Sequence, residues 1–329
     1  MQTLISIVLP VYNEEAGITQ TIKVLENFVA TQPQDFELLF VDDGSTDASV
    51  ELIKSMQSKY RNIKLVQFSR NFGHQLAISA GIRYTMGDAV VVMDADLQDP
   101  PEVIPAMIKE WQNGSQVVYG KRRSRAGESW FKKVSASAFY RLLQKVSSID
   151  IPLDTGDFRL MDRQVVNQLR RMHETDPFVR GMVSWIGFKQ SSVEYERKER
   201  IAGTTKYPLK KMLNLALSGL TSFSDLPLKL ALNLGLVSLG FSVIYSLFSL
   251  FNHFNSMNFM IGSLFGTTGL ILISLGLVGI YLYQTFKASR KRPLYIVANT
   301  SGFSESEREQ HEIKKLPRTA DLQVRKIRL

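Results

Sequence analysis

Apolar residues open the chain in short unbroken runs that alternate with segments of helical spacing. Ile5–Val11 reads as a strand buried on both faces, and Glu15–Ala30 carries apolar positions at the helical period. Phe36–Val41 repeats the strand pattern and leads into a helix reaching about Lys59. Ile63–Phe68 and His74–Met86 form a third pair, Ala89–Met93 and Glu102–Asn113 a fourth, and Gln116–Tyr119 adds a fifth strand. Strands alternating with helices across short connections predict an α/β fold with a mostly parallel sheet covered on both faces. Ligands of such sheets bind beyond the carboxyl ends of the strands.

The pattern changes after Lys121. Arg163–Met172 has helical spacing, Val193–Tyr195 alternates as a short strand, and residues 1–207 read as one catalytic-sized domain. Pro208–Leu226 sets Leu209, Met212, Leu213, Ala216 and Leu217 against Lys210, Lys211 and Asn214, the composition of a helix lying in a membrane interface. Two long apolar runs follow, at 227–252 and 259–286. At about 1.5 Å per residue each crosses a hydrocarbon core of about 30 Å. Leu294–Val297 reads as a short strand, and Ser301–Leu329 is polar and charged, with the composition of a disordered tail.

The net charge of +9 predicts an anionic partner. With two apolar runs present, a membrane and phosphate-bearing ligands are favoured over nucleic acid. Lys206, Lys210, Lys211 and Lys229 precede the runs, and Lys287, Arg290, Lys291 and Arg292 follow them, while Asn252–Asn258 between them has no Lys or Arg. Positive charge stays inside. The expectation is an integral protein of the bacterial cytoplasmic membrane, with residues 1–207 and the basic tail 287–329 both cytoplasmic. The absence of cysteine excludes disulfides and thiolate chemistry, and four scattered histidines argue against zinc. No G-x-G-x-x-G or G-x-x-x-x-G-K-[ST] motif follows a strand, so neither a dinucleotide cofactor nor a phosphate loop is predicted.

Every strand end delivers polar groups to one edge: Pro10-Val11-Tyr12-Asn13-Glu14, Asp42-Asp43, Ser69-Arg70-Asn71 and Asp94-Ala95-Asp96. Side-chain alternation puts Asp94 and Asp96 on one side of their strand. A hard divalent cation bridging them to a phosphorylated ligand accounts for two acids at the mouth of a buried strand. Asp43 can accept from a base ring N–H, and Pro10, Tyr12 and Glu14 can wall a nucleoside, although Glu14 and Asp42 also suit a helix cap and a turn. Leu153–Asp162 reads as a turn leading into a short strand; Asp154 and Asp162 suit a turn or a helix cap, whereas Asp157, between Gly156 and Phe158, is harder to assign to either.

These motifs, together with Asp94-Ala95-Asp96-Leu97-Gln98-Asp99-Pro100-Pro101 and Thr155-Gly156-Asp157-Phe158-Arg159, resemble the family 2 glycosyltransferases of GT-A fold. Within that family they are similar to the polyprenyl-phosphate branch of dolichol-phosphate mannose synthases and bactoprenol glucosyltransferases. The resemblance implies inverting transfer of one sugar from a nucleotide-sugar to a membrane polyprenyl phosphate. UDP-glucose is the favoured donor; UDP-GlcNAc, UDP-galactose and GDP-mannose stay open. It implies Mg²⁺ or Mn²⁺ on Asp94, Asp96 and Gln98, with nucleotide-sugar contacts from Pro10, Tyr12, Glu14, Asp42, Asp43, Arg70 and Asp94. Asp157 is the family's proposed base, but a phosphate monoester is already largely a dianion at neutral pH, so orienting the acceptor or an arginine is an equal expectation. Basic residues serve the acceptor phosphate in the family, which suggests Arg122, Arg200 and Lys206, with Lys133 and Ser135 behind them. A processive polysaccharide synthase would carry a Q-x-x-R-W motif and more spans. A non-catalytic membrane scaffold would have lost the acids. The oligomeric state stays open, a homo-oligomer included.

Overall fold

The apolar runs become strands because both faces of the sheet are covered. The computed structural model describes residues 2–123, 155–197, 256–290 and 292–307, together with 233, 237 and 240. In β1 (Leu4–Val11), Ile5, Ile7, Leu9 and Val11 face one apolar layer while Val8 faces the other. The same division holds along β2 (Asp35–Asp42), β3 (Ile63–Phe68) and β4 (Ala89–Val92). Helices α1 (Ile18–Val29), α2 (Ser49–Gln57) and α4 (Ile104–Gln112) cover the first layer. Helices α3 (His74–Tyr84), α5 (Arg163–Arg171) and α6 (Val179–Ile186) cover the second.

Among the described residues eight strands are joined in the order β7-β5-β6-β4-β1-β2-β3-β8. β1 to β4 run parallel, as expected. β5 (Val117–Arg122) and β7 (Gln190–Tyr195) pair in parallel with each other. The reversed strands are β6 (Thr155–Asp162) and β8 (Val297–Ser301). Asp157 therefore lies inside a strand, not in a turn ahead of one. Because β6 is antiparallel, with Arg159 opposite Val92, it is the beginning of β6 that meets the carboxyl end of β4. Asp162, at the other end, caps α5 by accepting from Gln164 N at 2.7 Å.

The segment expected as a strand at Leu294–Val297 pairs three residues later, as β8 against the outer edge of β3. Tyr295 instead stacks on Phe68 at 4.9 Å. Ser301, Gly302 and Phe303, expected in a disordered tail, are held. Phe303 is buried edge-on to Tyr84, and Lys64 bridges Glu37 at 2.7 Å and Glu307 at 2.5 Å. Phe303→Ala removes a buried aromatic and should destabilise by about 3–5 kcal/mol. Amide exchange should locate that loss in Val297–Ser301, with β1 and β4 retaining their protection.

A further long helix, α7 (Ser256–Ser289), spans 34 residues, which is about 51 Å at 1.5 Å per residue. Counted over its described side chains alone, it does not reach the length and hydropathy of a membrane span. Those side chains include exposed Met260, Leu264, Ile271, Ile273, Leu275, Val278 and Leu282. The expected interfacial helix 208–226 lies outside the described residues, as does nearly all of the expected first span.

Candidate active site

The connections after β1 and β2 are fastened to one another. Asn13, at φ 53°, accepts from Thr46 N at 2.8 Å, and its own N–H donates to Ser45 Oγ at 2.9 Å. Glu14 N donates to Ser49 Oγ at 2.8 Å, and Ala48 N to Glu15 Oε2 at 3.0 Å. Asp42 accepts from Ser45 N at 3.1 Å and closes the turn. Asp43 is buried and receives Phe72 N at 2.7 Å and Gly73 N at 2.9 Å, which draws the end of β3 and the start of α3 to the same edge. Burial pushes both carboxyl pKa values up, against the hydrogen bonds that favour the ionised form. Gly44, at φ 71°, lies against the Arg70 backbone, where an added Cβ would come within 2.3 Å of a main-chain carbon. Gly44→Ala should therefore cost about 2 kcal/mol or more in strain and overlap, read by chemical denaturation.

Pro10 is buried opposite Val41, and Tyr12 beyond it is 38% exposed at the edge. Arg70 is exposed, lies over the Phe72 ring at 4.0 Å and donates to Asn71 O at 2.8 Å. The expected nucleoside wall thus gathers at one rim, with Asp42 and Asp43 beneath it as the groups that shape the loops.

Asp94, 33% exposed, follows β4, and Asp96 accepts from Gln98 N at 3.1 Å. Leu97 between them adopts φ 55°, a left-handed conformation that turns the chain sharply. His74, the first residue of α3, places Nε2 3.5 Å from Asp94 Oδ1 and 3.5 Å from Asp157 Oδ2. Burial disfavours the imidazolium, but Asp157 and Asp94 outweigh it and hold the His74 pKa at about 9. Burial and the neighbouring acids Asp99, Asp157 and Asp96 push Asp94 up to about 6, with His74 opposing them.

Asp157 is 9% exposed and gripped from two sides. Arg180 on α6 donates Nε to Oδ1 at 2.8 Å and Nη2 to Oδ2 at 3.2 Å, and Gln75 Nε2 adds a bond at 3.1 Å. Gln75 Oε1 also accepts Val179 N at 3.1 Å, joining α3 to the start of α6. Burial would raise Asp157, but Arg180 and His74 hold it well below the carboxylate range. Two residues along the same face, buried Arg159 donates to Gly156 O at 3.0 Å, while its Nε has no hydrogen-bond partner among the described residues. Burial brings its pKa down to about 10.

Among the described residues no three His, Asp or Glu side chains close around a metal position. Mg²⁺ or Mn²⁺ takes one or two carboxylates and completes its shell with water and substrate oxygens. The pair Asp94 and Asp96, with Gln98 in the same turn, fits such an ion.

Of the expected acceptor-phosphate residues, Arg122 ends β5 beside this site. Lys133, Ser135, Arg200 and Lys206 lie outside the described residues. His74, Gln75, Arg180, Asp99 and Tyr195 had not been anticipated. His74 had one legible signal: it opens a helix immediately after a strand end already counted as part of the edge.

The profile of glycosyl transferase family 2 matches residues 6–170. The chain is 48% identical to the uncharacterized glycosyltransferase YkcC of Bacillus subtilis over 93% of its length and 97% of the relative. It is 38% identical to the prophage bactoprenol glucosyl transferase homolog of Escherichia coli, over 89% of this chain and 98% of that one. The bactoprenol glucosyl transferase of Shigella phage SfV is also 38% identical, over 90% and 98%. The chain is a family 2 glycosyltransferase. The acidic edge just described, with Asp43, Asp94, Asp96 and Asp157, lies within the matched domain.

Proposed function

We propose that this glycosyltransferase moves a single sugar, glucose from UDP-glucose in the simplest case, onto polyprenyl phosphate at the cytoplasmic face of the membrane, with inversion at the anomeric carbon. The carrying observation is the meeting of Asp94 and Asp157 through His74 at one sheet edge, in a chain aligned nearly end to end with bactoprenol glucosyl transferases.

A divalent ion held by Asp94, Asp96 and Gln98 would neutralise the charge that develops on the departing nucleoside diphosphate. Tyr12, Pro10 and the loop around Asp43 and Arg70 hold the nucleoside at the rim. The acceptor phosphate, already dianionic near neutral pH, requires placement and charge screening more than deprotonation. Asp157 accordingly serves by fixing Arg180 in a two-point fork. A carboxylate held that far below its ordinary range is a poor proton acceptor. Arg122 supplies the positive charge on the acceptor side.

Membrane attachment is supported by the apolar exposed side chains of α7 and by connectivity. β8 pairs with β3, so the chain on both sides of 227–286 shares one compartment and crosses an even number of times. Lys287, at the end of α7, meets Asp176 ahead of α6 at 2.5 Å, which brings the basic end of that helix to the catalytic domain. The positive-inside asymmetry supports reading that compartment as the cytoplasm.

Membranes containing the protein should be incubated with labelled UDP-glucose, UDP-GlcNAc, UDP-galactose and GDP-mannose, each with and without undecaprenyl phosphate and EDTA. One donor should label the organic phase only when the lipid phosphate is present, and EDTA should abolish that labelling. Label that enters a growing polymer, or that only hydrolyses to free sugar, would overturn the proposal.

A further inference from the structure

Asp99 lies three residues beyond Asp96 and is 1% exposed. Its Oδ1 accepts the Tyr195 hydroxyl at the end of β7. The same hydroxyl accepts Arg122 Nε at 3.2 Å. Arg122 Nη2 stands 3.7 Å from Asp99 Oδ1, and Arg197 Nε stands 3.9 Å from it. Both separations are ion-pair distances outside hydrogen-bond range. The Arg122 guanidinium also lies close over Gly156, where an added Cβ would come within 2.8 Å of Nη2. Gly156 immediately precedes Asp157, so this fork ends beside the Asp157–Arg180 pair.

We propose that Asp99 and Tyr195 are positioning residues that hold Arg122 over Gly156 with the fork of its guanidinium turned to the acceptor phosphate. The proposal rests on the acceptor reading above. A carboxylate that takes up an arginine fully receives its guanidinium fork at two points, as Asp157 receives that of Arg180. Here Arg122 is held from behind, through Nε and a phenol. Both Nη nitrogens are left without a hydrogen bond among the described residues. Among the described residues Arg122 and Arg197 share the single carboxylate of Asp99, while Asp157 is engaged by Arg180. Glu194, the nearby surface acid, is taken up by Lys121 at 3.2 Å and Arg123 at 3.5 Å. Buried charge that its neighbours do not balance is costly. A phosphate dianion arriving at this point would balance it, and a planar fork is suited to grip its oxygens in pairs.

Tyr195→Phe tests this with little disturbance, because the ring keeps its edge-on seat against Phe158 at 5.5 Å. In the full-length protein in nanodiscs, KM for undecaprenyl phosphate should rise about tenfold, the loss of a charge-linked hydrogen bond. KM for the nucleotide-sugar should stay near wild type, while the melting temperature falls modestly because buried Asp99 loses a hydrogen-bond donor. Asp99→Asn should move the same lipid-phosphate KM further, and Arg122→Lys should resemble it. An unchanged lipid-phosphate KM in Tyr195→Phe overturns the positioning role, as does an equal rise in both KM values. If Asp99→Asn fails to fold, Tyr195→Phe alone decides. Wild-type protein that transfers sugar but is insensitive to Tyr195→Phe defeats only this inference. Wild-type protein that transfers nothing to the lipid phosphate defeats the acceptor reading and this role together.

Discussion

Asp157→Asn is expected to lower turnover by about 10²- to 10³-fold. The substitution keeps the shape of the side chain and removes the charge that Arg180 grips at 2.8 and 3.2 Å and that His74 faces at 3.5 Å. Breaking one side of a buried charge pair costs about 3–5 kcal/mol, largely because the other side is left uncompensated. Arg180 would lose its two-point hold and drift from the acceptor position, and misplacement of this kind falls on turnover. A base role predicts a similar loss, so the distinguishing variant is Arg180→Lys. It retains the charge but not the fork, and it should fall nearly as far as Asp157→Asn if Asp157 works by fixing Arg180. Stability supplies a second readout. Asp157 titrates well below its unfolded value near 3.9, so the part set by its own titration is complete above that pH and is lost in strong acid. The stability gap between wild type and Asp157→Asn should be widest between about pH 4 and 6.5, narrow towards pH 9 as His74 loses the proton that Asp157 helps to hold, and close as pH falls below about 4. A gap that widens as pH falls below about 4 would contradict the ion-pair account.

Asp94→Asn should be comparably severe, at about 10²- to 10³-fold in kcat, the usual consequence of deleting one major electrostatic contact in an active site. Asparagine keeps an oxygen where the carboxylate stood but loses the charge that attracts a divalent ion. Saturation with Mg²⁺ or Mn²⁺ should accordingly require a higher concentration. His74 would keep Asp157 as its partner, and the fold should change little, because Asp94 is one-third exposed at a strand end. Near wild-type turnover at low metal concentration would remove Asp94 from the metal site.

The parts of this molecule that could be read from sequence are those written in local periodicity. β1 to β4 are short apolar runs buried on both faces, and their ends carry the polar groups that fill the edge. Asp157 stood out as an acid between a glycine and an aromatic, although it read as part of a turn ahead of a strand and lies within the strand itself. The groups that hold Asp157 were hidden for the opposite reason. Gln75 and Arg180 reach it only because α3 and α6 pack on the same face of the sheet, and no local pattern in either helix marks that meeting. Tyr195 read as one apolar position in an alternating strand, and its hydroxyl acquired a role only when β5 and β7 paired. β8 was misplaced by three residues because an edge strand is fixed by backbone bonds to one neighbour. Its exposed Asn299 and half-buried Thr300 need no apolar signature.

The most direct measurement uses purified full-length protein in nanodiscs, supplied with radiolabelled UDP-glucose, Mg²⁺ and undecaprenyl phosphate, with organic-phase label counted against time. Wild type should transfer label, EDTA should stop it, and Asp94→Asn and Asp157→Asn should each reduce the initial rate by about 10²-fold or more. Transfer at undiminished rate by both variants would contradict the site assigned here, and the absence of lipid-linked label with every nucleotide-sugar tried would contradict the function.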